Sequence, residues 1–354
     1  QVPNCSGYSS SGGPWVKPEQ GMKFVVHTET RADGPRRFDE ALPAPPNPHG
    51  FYADIAVLAF PVPPGEGEPL RAECAEQTFA GDAGGTVAFA SAEPFEATGV
   101  SFVLTGGGQW NEPARFAVAY SEDGVTWRDG GARDFDVRRS GSGSKGLRYY
   151  PFSRAVRGKK FRITFSFPPE PSSPGYVPGY VGRFTVRGAA LERRAALSDL
   201  DGKTFRIRQD IRRDGFAAAP GQVVARSSVT NLTHLLRPDG RLAWDVPDGR
   251  WAILRVGFAA NGERNHPVSG GGSGLEVDKL DRAALDAHFD AYVERLCARL
   301  GPDLVGQGKN ALSGILVDSY EVGSQNWTQG FERTFRRRRG YDLVPWLALL
   351  SGRV

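Results

Sequence analysis

One short stretch places several ionisable and polar side chains just past a predicted buried strand. The apolar run "GILV" at 314–317 is followed within ten residues by two acids, two amides and an indole: Asp318, Glu321, Gln325, Asn326 and Trp327. A carboxylic acid in a partly apolar pocket tends to have a raised pKa, which suits proton donation to a leaving oxygen. Trp327 could supply the apolar wall. The alternative is that Asp318 caps the following helix and Glu321 is solvated.

A second cluster follows a glycine-rich turn in "GGGSGLEVDKLD", where Glu276, Asp278 and Lys279 lie within four residues. In an extended segment both carboxylates could face a ligand, and Lys279 could hold one of them ionised. Oxygen ligands of this kind also suit calcium, although two acids do not make a site. The alternative is a strand end followed by a helix that Asp281 caps.

A third cluster opens the chain in "NCSGYSSSGGPWVKPE". Gly12, Gly13 and Pro14 are expected to fix a loop that presents Trp15, because rigid loops often carry ligand-recognising aromatics. Asn4 and Trp15 are the candidate ligand contacts of this loop. Packing of Trp15 under its own loop is the alternative, and the absence of a Gly-x-x-x-x-Gly-Lys pattern argues against a phosphate site.

Composition excludes several function classes. The 354 residues carry 44 basic and 40 acidic side chains, a formal charge of +4 that gives little attraction for nucleic acid. The densest basic run, Arg336 to Arg339, is typical of the solvated face of a helix. No run of eighteen apolar residues predicts a membrane span, and the first residues lack the pattern of an export signal.

Short strands separated by Gly and Pro fill residues 51–262, which predicts a β-sandwich or jelly roll. The period-two pattern of "RFAVAYS" places Phe116, Val118 and Tyr120 on one side of a strand and Ala117 and Ala119 on the other. Residues 51–262 are therefore predicted to be a β-sandwich insertion.

The pattern becomes helical after residue 262. Leu285, Phe289 and Val293 begin an apolar stripe that continues to Leu300, and Gly301 is the expected stop. A helix, a buried strand and another helix indicate a parallel α/β sheet or barrel. A barrel needs eight such pairs, so residues 1–50 and 263–354 are predicted to be partial barrel segments of a larger catalytic region. The predicted fold class is mixed α/β and all-β.

Four stretches in this order resemble glycoside hydrolase family 106, the α-L-rhamnosidases. They are "NCSGYSSSGGPWVKPEQGMK", "GRLAWDVPDGRWAILRVGF", "GSGLEVDKLDRAALDAHFDAY" and "GILVDSYEVGSQNWTQGFERTFRRRRGYDLVPWLALLSGRV". "FAVAYSEDGVTWRD" with "YYPFSRAVRGKKFRITF" is similar to a galactose-binding-type jelly roll. The family resemblance implies a (β/α)₈ barrel interrupted by this β-sandwich, and inverting hydrolysis of terminal α-L-rhamnosides.

The same resemblance makes Glu321 the candidate general acid and implies a calcium ion near the sugar. It implies that the catalytic base lies in barrel strands beyond Val354, and that the location is periplasmic or extracellular. The expected partner is a rhamnose-containing oligo- or polysaccharide, with Trp327 as a possible platform for a sugar ring. The alternative function is a noncatalytic carbohydrate-binding protein in which the sandwich binds the sugar.

Overall fold

The computed structural model of the chain describes residues 11–80, 84–106, 113–136, 147–166, 183–197, 200–205, 218, 220–266, 268, 271–308, 312–314 and 323–354. The predictions made for Asn4, Asp318 and Glu321, and for the buried strand at 315–317, lie outside the described residues.

Strands dominate the described part of the chain. In chain order they are β1 (Gly12–Gly13), β2 (Lys23–Ala41), β3 (Tyr52–Pro61), β4 (Leu70–Arg71), β5 (Glu76–Ala80), β6 (Gly85–Gly106), β7 (Pro113–Ser121), β8 (Arg128–Asp136), β9 (Leu147–Ser166), β10 (Arg183–Glu192), β11 (Thr230–Asn231), β12 (Arg241–Ala260) and β13 (Leu275–Glu276).

Helices are short and concentrate after β13. They are α1 (Leu200–Lys203), α2 (Arg282–Phe289), a π-helical turn (Asp290–Glu294), α3 (Arg295–Leu300) and α4 (Phe331–Arg339). Single 3₁₀ turns occur at Pro18–Gln20, Pro220–Gln222, Arg226–Ser228 and Thr233–Leu235, and a longer 3₁₀ segment at Val344–Ser351.

The largest sheet contains seven antiparallel strands in the order β4-β10-β6-β9-β7-β8, with β5 also paired to β10. Register shifts between β6 and β9 bend this long pair. Phe116 and Val118 are buried whereas Ala117 is exposed, and Tyr120 packs partly against the core, which confirms the predicted alternation. Burying each large apolar side chain contributes about 1.5–3 kcal/mol. The largest buried side chains of this core are Phe79, Phe89, Phe102, Phe116, Phe161 and Phe165.

A second antiparallel sheet has the order β11-β3-β12-β2. β2 pairs with β12 along its whole length, from Lys23 opposite Ala260 to Ala41 opposite Arg241. The central strand β3 is covered on both faces, because Val57 belongs to one core cluster and the adjacent residues belong to another. The C-terminal segment contributes Leu347, Ala348 and Trp327 to the cluster that contains Leu58, on the face of β3 opposite Val57.

The described architecture agrees with the β-rich half of the predicted fold class. Every pairing between the named strands is antiparallel, and the one parallel contact among the described residues is the bridge between Val305 and Leu312. The described part therefore does not display a (β/α)₈ barrel. The four-stranded sheet combines β2, which lies before position 50, with β3, β11 and β12, which lie after it. The domain boundaries at 50 and 262 stay predictions.

The helix predicted near residue 290 is confirmed as α2, the π-helical turn and α3. Asp281 caps α2 by accepting hydrogen bonds from two backbone amides, and Gly301 ends α3 at φ +80°. The predicted apolar stripe is less buried than its pattern suggests, since Leu285 is 40% and Phe289 38% exposed. Arg336 to Arg339 are exposed at the end of α4, as the solvated-face interpretation predicts.

A buried ion cluster fixes the last residues of the chain to the second sheet. Arg353 donates to Glu66 from Nε at 2.9 Å and from Nη2 at 2.6 Å, and to Glu29 from Nη1 at 2.6 Å. Arg31 also pairs with Glu66. Burial alone would raise the pKa of Glu66, but the hydrogen bonds and charges of Arg353 and Arg31 outweigh it and lower that pKa to about 2.

We expect Arg353→Met to lower the free energy of unfolding by about 3–5 kcal/mol, because it removes the buried partner of Glu29 and Glu66 and leaves them only the exposed Arg31. The control is Arg115→Met, whose partner Asp134 is exposed and whose loss should cost less than about 1 kcal/mol. Denaturant unfolding of both variants measures the difference. Equal losses would show that the buried cluster contributes no more than a surface pair.

The same cluster predicts acid sensitivity. The pKa values of Glu29 and Glu66 are lowered in the folded chain, so their stabilisation is present above the unfolded carboxyl pKa of about 4.3 and is lost as pH falls toward 2. In Arg353→Met the dependence of stability on pH should be shallower over this window.

Candidate active site

The structure places four of the predicted site residues in two hydrogen-bonded groups, Glu276 with Lys279 and Asp278 with Gln325. They come from β13, from the turn that follows it and from the segment that begins at residue 323. Asp278 and Gln325 are 47 positions apart and the α2–α3 helix lies between them in the chain, so the contact is tertiary.

Asp278 is fully buried and has donors on both carboxylate oxygens. Lys23, also buried, donates from Nζ to Oδ2 at 2.7 Å and to the Gly21 carbonyl at 2.9 Å. Thr328 Oγ1 donates to the same Oδ2 at 2.8 Å, and Gln325 Nε2 donates to Oδ1 at 2.7 Å. A buried charge is tolerated when it is paired and hydrogen-bonded in this way. Asp278 therefore orients Gln325 in this structure.

Glu276 is also fully buried, yet only one of its oxygens has donors. Its Oε1 accepts from the Ser11 amide at 3.0 Å, from Ser11 Oγ at 2.9 Å and from Lys279 Nζ at 2.5 Å. Its Oε2 has no hydrogen-bond partner among the described residues, and the same holds for Gln325 Oε1. Each buried acceptor left without a donor costs about 1–3 kcal/mol. A ligand with hydroxyl donors would relieve both atoms.

Glycines let the N-terminal loop approach β13 closely enough to hold Glu276. Gly12 and Gly13 of β1 pair with Glu276 and Leu275. A Cβ on Gly12 would lie 2.4 Å from the Leu275 carbonyl oxygen, and one on Gly274 would lie 1.9 Å from the Gly13 carbonyl carbon. Neither position has room for a side chain, so the glycine-rich sequences on both strands are required by this contact.

Asn326 and Trp327 fix the segment after residue 323 to the second sheet. Asn326 accepts from the Val25 amide at 2.8 Å and donates to the Thr204 carbonyl at 2.7 Å. Trp327 is 2% exposed and packs against Phe331 at 5.0 Å between ring centroids. These are the contacts of a core residue, and a role of Trp327 as a sugar platform stays a prediction.

Trp15 packs on the helix that follows β13. Its indole stacks on His288 at 5.8 Å and on Tyr292 at 6.0 Å between ring centroids, and its Nε1 donates to His288 Nδ1 at 3.0 Å. A Cβ on Gly13 would lie 2.6 Å from the same indole. The contacts agree with the alternative in which Trp15 packs under its own loop. Direct ligand contact by Trp15 stays a prediction.

Sequence reasoning missed His288 and Glu263. His288 and Tyr292 are four residues apart, so their helical spacing was the available signal for a shared face. Glu263 is buried just after β12, and a Cβ on Gly323 would lie 2.6 Å from its Cδ. The Asn261 side chain donates to the Ser324 carbonyl at 2.8 Å beside it. A buried carboxylate therefore lies against the residue two positions after Glu321.

The calcium ion implied by the family resemblance would be held by oxygen ligands such as carboxylates. No group of three His, Cys, Asp or Glu side chains within the described ranges could hold a metal ion. The two acids that the sequence suggested as ligands, Glu276 and Asp278, each accept from a lysine ammonium group. Calcium thus stays a prediction from the family resemblance alone.

No helix in the described part of the chain is long and apolar enough to cross a membrane.

Comparison with known proteins gives one family for the whole chain. The family model of glycoside hydrolase family 106, alpha-L-rhamnosidase, matches residues 1–354. The chain belongs to this family, which confirms the resemblance seen in the sequence.

Two relatives show how the chain compares with longer proteins. The structure of a rhamnosidase from Novosphingobium sp. PP1Y is 27% identical, covers 99% of this chain and superposes with a TM-score of 0.72. A protein of Formosa agariphila named "Putative beta-glucuronidase" is 28% identical over 351 residues, or 99% of this chain. The chain spans 34% of the Novosphingobium protein and 19% of the Formosa protein.

We expect the Lys23–Asp278 pair to behave as one unit. Lys23→Met and Asp278→Asn should each lower the free energy of unfolding by about 3–5 kcal/mol, because each change leaves a buried charge or a broken network. The double variant should lose clearly less than the sum of the two single losses. Arg36 and Glu40, an exposed pair, supply the control cycle. Additive losses at Lys23 and Asp278 would contradict a coupled pair.

Proposed function

We propose that this chain is part of the catalytic region of a glycoside hydrolase that removes terminal α-L-rhamnose from glycosides or polysaccharides. The observation that carries the proposal is the match of the rhamnosidase family model to all 354 residues. The structural likeness to a rhamnosidase over 99% of the chain supports it. The proposed architecture is a (β/α)₈ barrel interrupted by a β-sandwich, which the seven-stranded sheet would form.

Glu321 is the proposed general acid, with Asp318 beside it as a sugar contact. An inverting glycosidase places its base about 6.5–9.5 Å from the acid, so that a water molecule fits between the base and the sugar. In this proposal the base comes from residues beyond Val354. Glu263 lies against Gly323, two positions after Glu321 in the sequence. A carboxylate near a second acid raises the pKa of that acid, and in this proposal Glu263 acts on Glu321 in this way.

Glu276 and Gln325 are the proposed acceptors for sugar hydroxyl groups. Both side chains are buried, and Glu276 Oε2 and Gln325 Oε1 have no donor among the described residues. A sugar O–H supplies the missing donor. In this proposal Lys279 positions Glu276 and Asp278 positions Gln325, in each case through a hydrogen bond.

The same two acceptors favour a neutral sugar over a uronic acid. A glucuronide carries a carboxylate that needs hydrogen-bond donors or a cation, and an acceptor beside it is repulsive. Rhamnose presents hydroxyl groups and no charge. The name of the Formosa relative nevertheless makes an aryl β-glucuronide the necessary comparison substrate.

The proposed location is periplasmic or extracellular, where polysaccharide substrates occur. The proposal adds no nucleic-acid partner and no step through a metal ion. In the competing function, a noncatalytic carbohydrate-binding protein, sugar would bind at the loops of the seven-stranded sheet. If a bound sugar affected only residues in those loops and left Glu276 and Gln325 unchanged, that result would favour the alternative.

We expect Glu321→Gln, made in a family enzyme with the complete catalytic region, to slow hydrolysis of rhamnosides with poor leaving groups by roughly 10²–10⁴-fold. The change keeps size and hydrogen bonding but removes the proton. Aryl rhamnosides whose leaving group needs little protonation should lose much less. The measurement is kcat/KM on both substrate types, with Asp318→Asn for comparison. Equal small losses on both would remove Glu321 from the acid role.

We expect Glu276→Gln to weaken binding of L-rhamnose by about tenfold, since an amide NH₂ replaces one of the carboxylate acceptors. Calorimetric titration of the 354-residue chain measures the change. Glu122→Gln, in the exposed turn after β7, is the matched control and should bind as the wild type does. Unchanged affinity in Glu276→Gln would exclude this carboxylate from the sugar site.

A further inference from the structure

The loop that reaches Glu276 is held at its other end by an imidazole. Ser11 contacts Glu276 through its amide and its hydroxyl group, and the Val277 amide donates back to the Ser11 carbonyl at 2.9 Å. Four residues after Ser11, the Trp15 indole lies on the helix and donates to His288. Between these two ends, Gly12 and Gly13 pair with β13.

The indole–imidazole contact works in only one protonation state. Indole Nε1–H is a donor only, so His288 Nδ1 must be a lone-pair acceptor and the ring must be neutral with its proton on Nε2. In the imidazolium form both ring nitrogens carry hydrogen. Protonation of His288 would thus replace the hydrogen bond with two opposed N–H groups.

The helix is shaped at this point to receive the indole. The π-helical turn Asp290–Glu294 begins two residues after His288 and contains Tyr292, whose ring lies nearly parallel to Trp15 at 13°. Insertions of this kind inside α-helices are frequent at functional sites. The stack on His288 is tilted by 29°, so one indole is held by two rings and one hydrogen bond.

We propose that His288 is a positioning residue of the candidate site: its neutral imidazole holds Trp15, and through Trp15 it holds the loop that delivers Ser11 to Glu276. This inference deepens the proposed function and rests on it only for the role of Glu276 in binding sugar. His288 itself contacts neither Glu276 nor the sugar in this assignment.

The electrostatic surroundings agree with a neutral imidazole. Burial lowers the pKa of His288, the charge of Glu276 raises it and the charge of Lys279 lowers it, with a net shift downward. Glu276 comes from β13, Lys279 from the turn before α2, and neither Trp15 nor Tyr292 carries a charge near neutral pH. The loop is therefore held at neutral pH and is released as pH falls below the ordinary histidine pKa of about 6.5.

Two variants separate the hydrogen bond from the ring. His288→Asn keeps an acceptor near the Nδ1 position and does not titrate. His288→Phe keeps a ring for stacking and has no acceptor. A role that is only structural would be damaged at least as much by the smaller asparagine, whereas the proposed role predicts that asparagine preserves the loop and phenylalanine does not.

The first measurement follows the loop without any sugar. Amide hydrogen exchange of Ser11 and Val277 should be slow at pH 7 in the wild type and in His288→Asn, and about 3- to 10-fold faster in His288→Phe. Tryptophan emission between pH 8 and 5 should change with the titration of His288 in the wild type. That change should be absent in Trp15→Phe and in His288→Asn, while Trp251→Phe, which alters a distant indole on β12, should retain it.

The second measurement is L-rhamnose affinity by calorimetry. We expect His288→Phe to bind about 3- to 10-fold more weakly at pH 7 and His288→Asn to bind as the wild type does, with no further loss at pH 5.5. Equal amide exchange in both variants, or an emission change that survives in Trp15→Phe, would overturn the positioning role. Absence of rhamnose binding in the wild type, with the exchange pattern intact, would count against the proposed function and leave the positioning role supported.

Discussion

The buried ion pair between Lys23 and Asp278 is the interaction on which the rest of the site depends. Removing two charges from water costs several kcal/mol for each, and attraction in the interior repays this only with good geometry and further hydrogen bonds. Here those bonds come from the Gly21 carbonyl, Gln325 and Thr328. The pair therefore ties the start of β2 to the turn after β13 and to the segment after residue 323. None of these three segments can move without exposing or unpairing a buried charge.

Glu276 and Asp278 look equivalent in the sequence, but the ion pair gives these two carboxylates different roles. Both carboxylate oxygens of Asp278 accept hydrogen bonds that join separate segments of the chain, so the role of Asp278 is structural. Glu276, two residues earlier, has one oxygen held by Ser11 and Lys279 and one without a donor among the described residues. The fixed register of β1 on β13 carries Ser11 to Glu276, and this close approach is possible because Gly12 and Gly274 have no side chains.

Local patterns predicted the local structure. Alternation around Phe116, the helix near residue 290 and its end at Gly301 all follow from periods and stop signals that lie within a few residues. The pairing of β2 with β12 could not be predicted in this way, because its partners are separated by more than 200 residues and both strands carry charges along their length. Nor does a sequence pattern distinguish a satisfied carboxylate such as Asp278 from an open one. That difference lies in tertiary hydrogen bonds.

The same distinction between local sequence patterns and tertiary contacts applies to the candidate site residues. Residue type and spacing indicated that Glu276 and Gln325 are polar groups near a turn. In the structure each is buried and hydrogen-bonded to a charged residue, Glu276 to Lys279 and Gln325 to Asp278. The same reasoning gave Trp327 a ligand-facing role, because a tryptophan beside acids suggests a platform. Its indole packs in the core beside Phe331, and direct contact with a sugar stays a prediction. His288 carried no signal beyond its spacing from Tyr292, because its partner Trp15 is 273 residues away.

The charge balance of the described site limits what it can bind. Asp278 pairs with Lys23 and Glu276 pairs with Lys279, so each of these two buried carboxylates has an ammonium partner, and the neutral imidazole of His288 adds no charge. Interactions between charges are strong where water is excluded, so an anionic ligand would have to compete with Glu276 and Asp278 for these two ammonium groups. A neutral sugar with several hydroxyl donors suits such a surface. Hydroxyl donors can reach the Glu276 oxygen that has no donor among the described residues without displacing either ion pair, which is why the proposed ligand is an uncharged sugar.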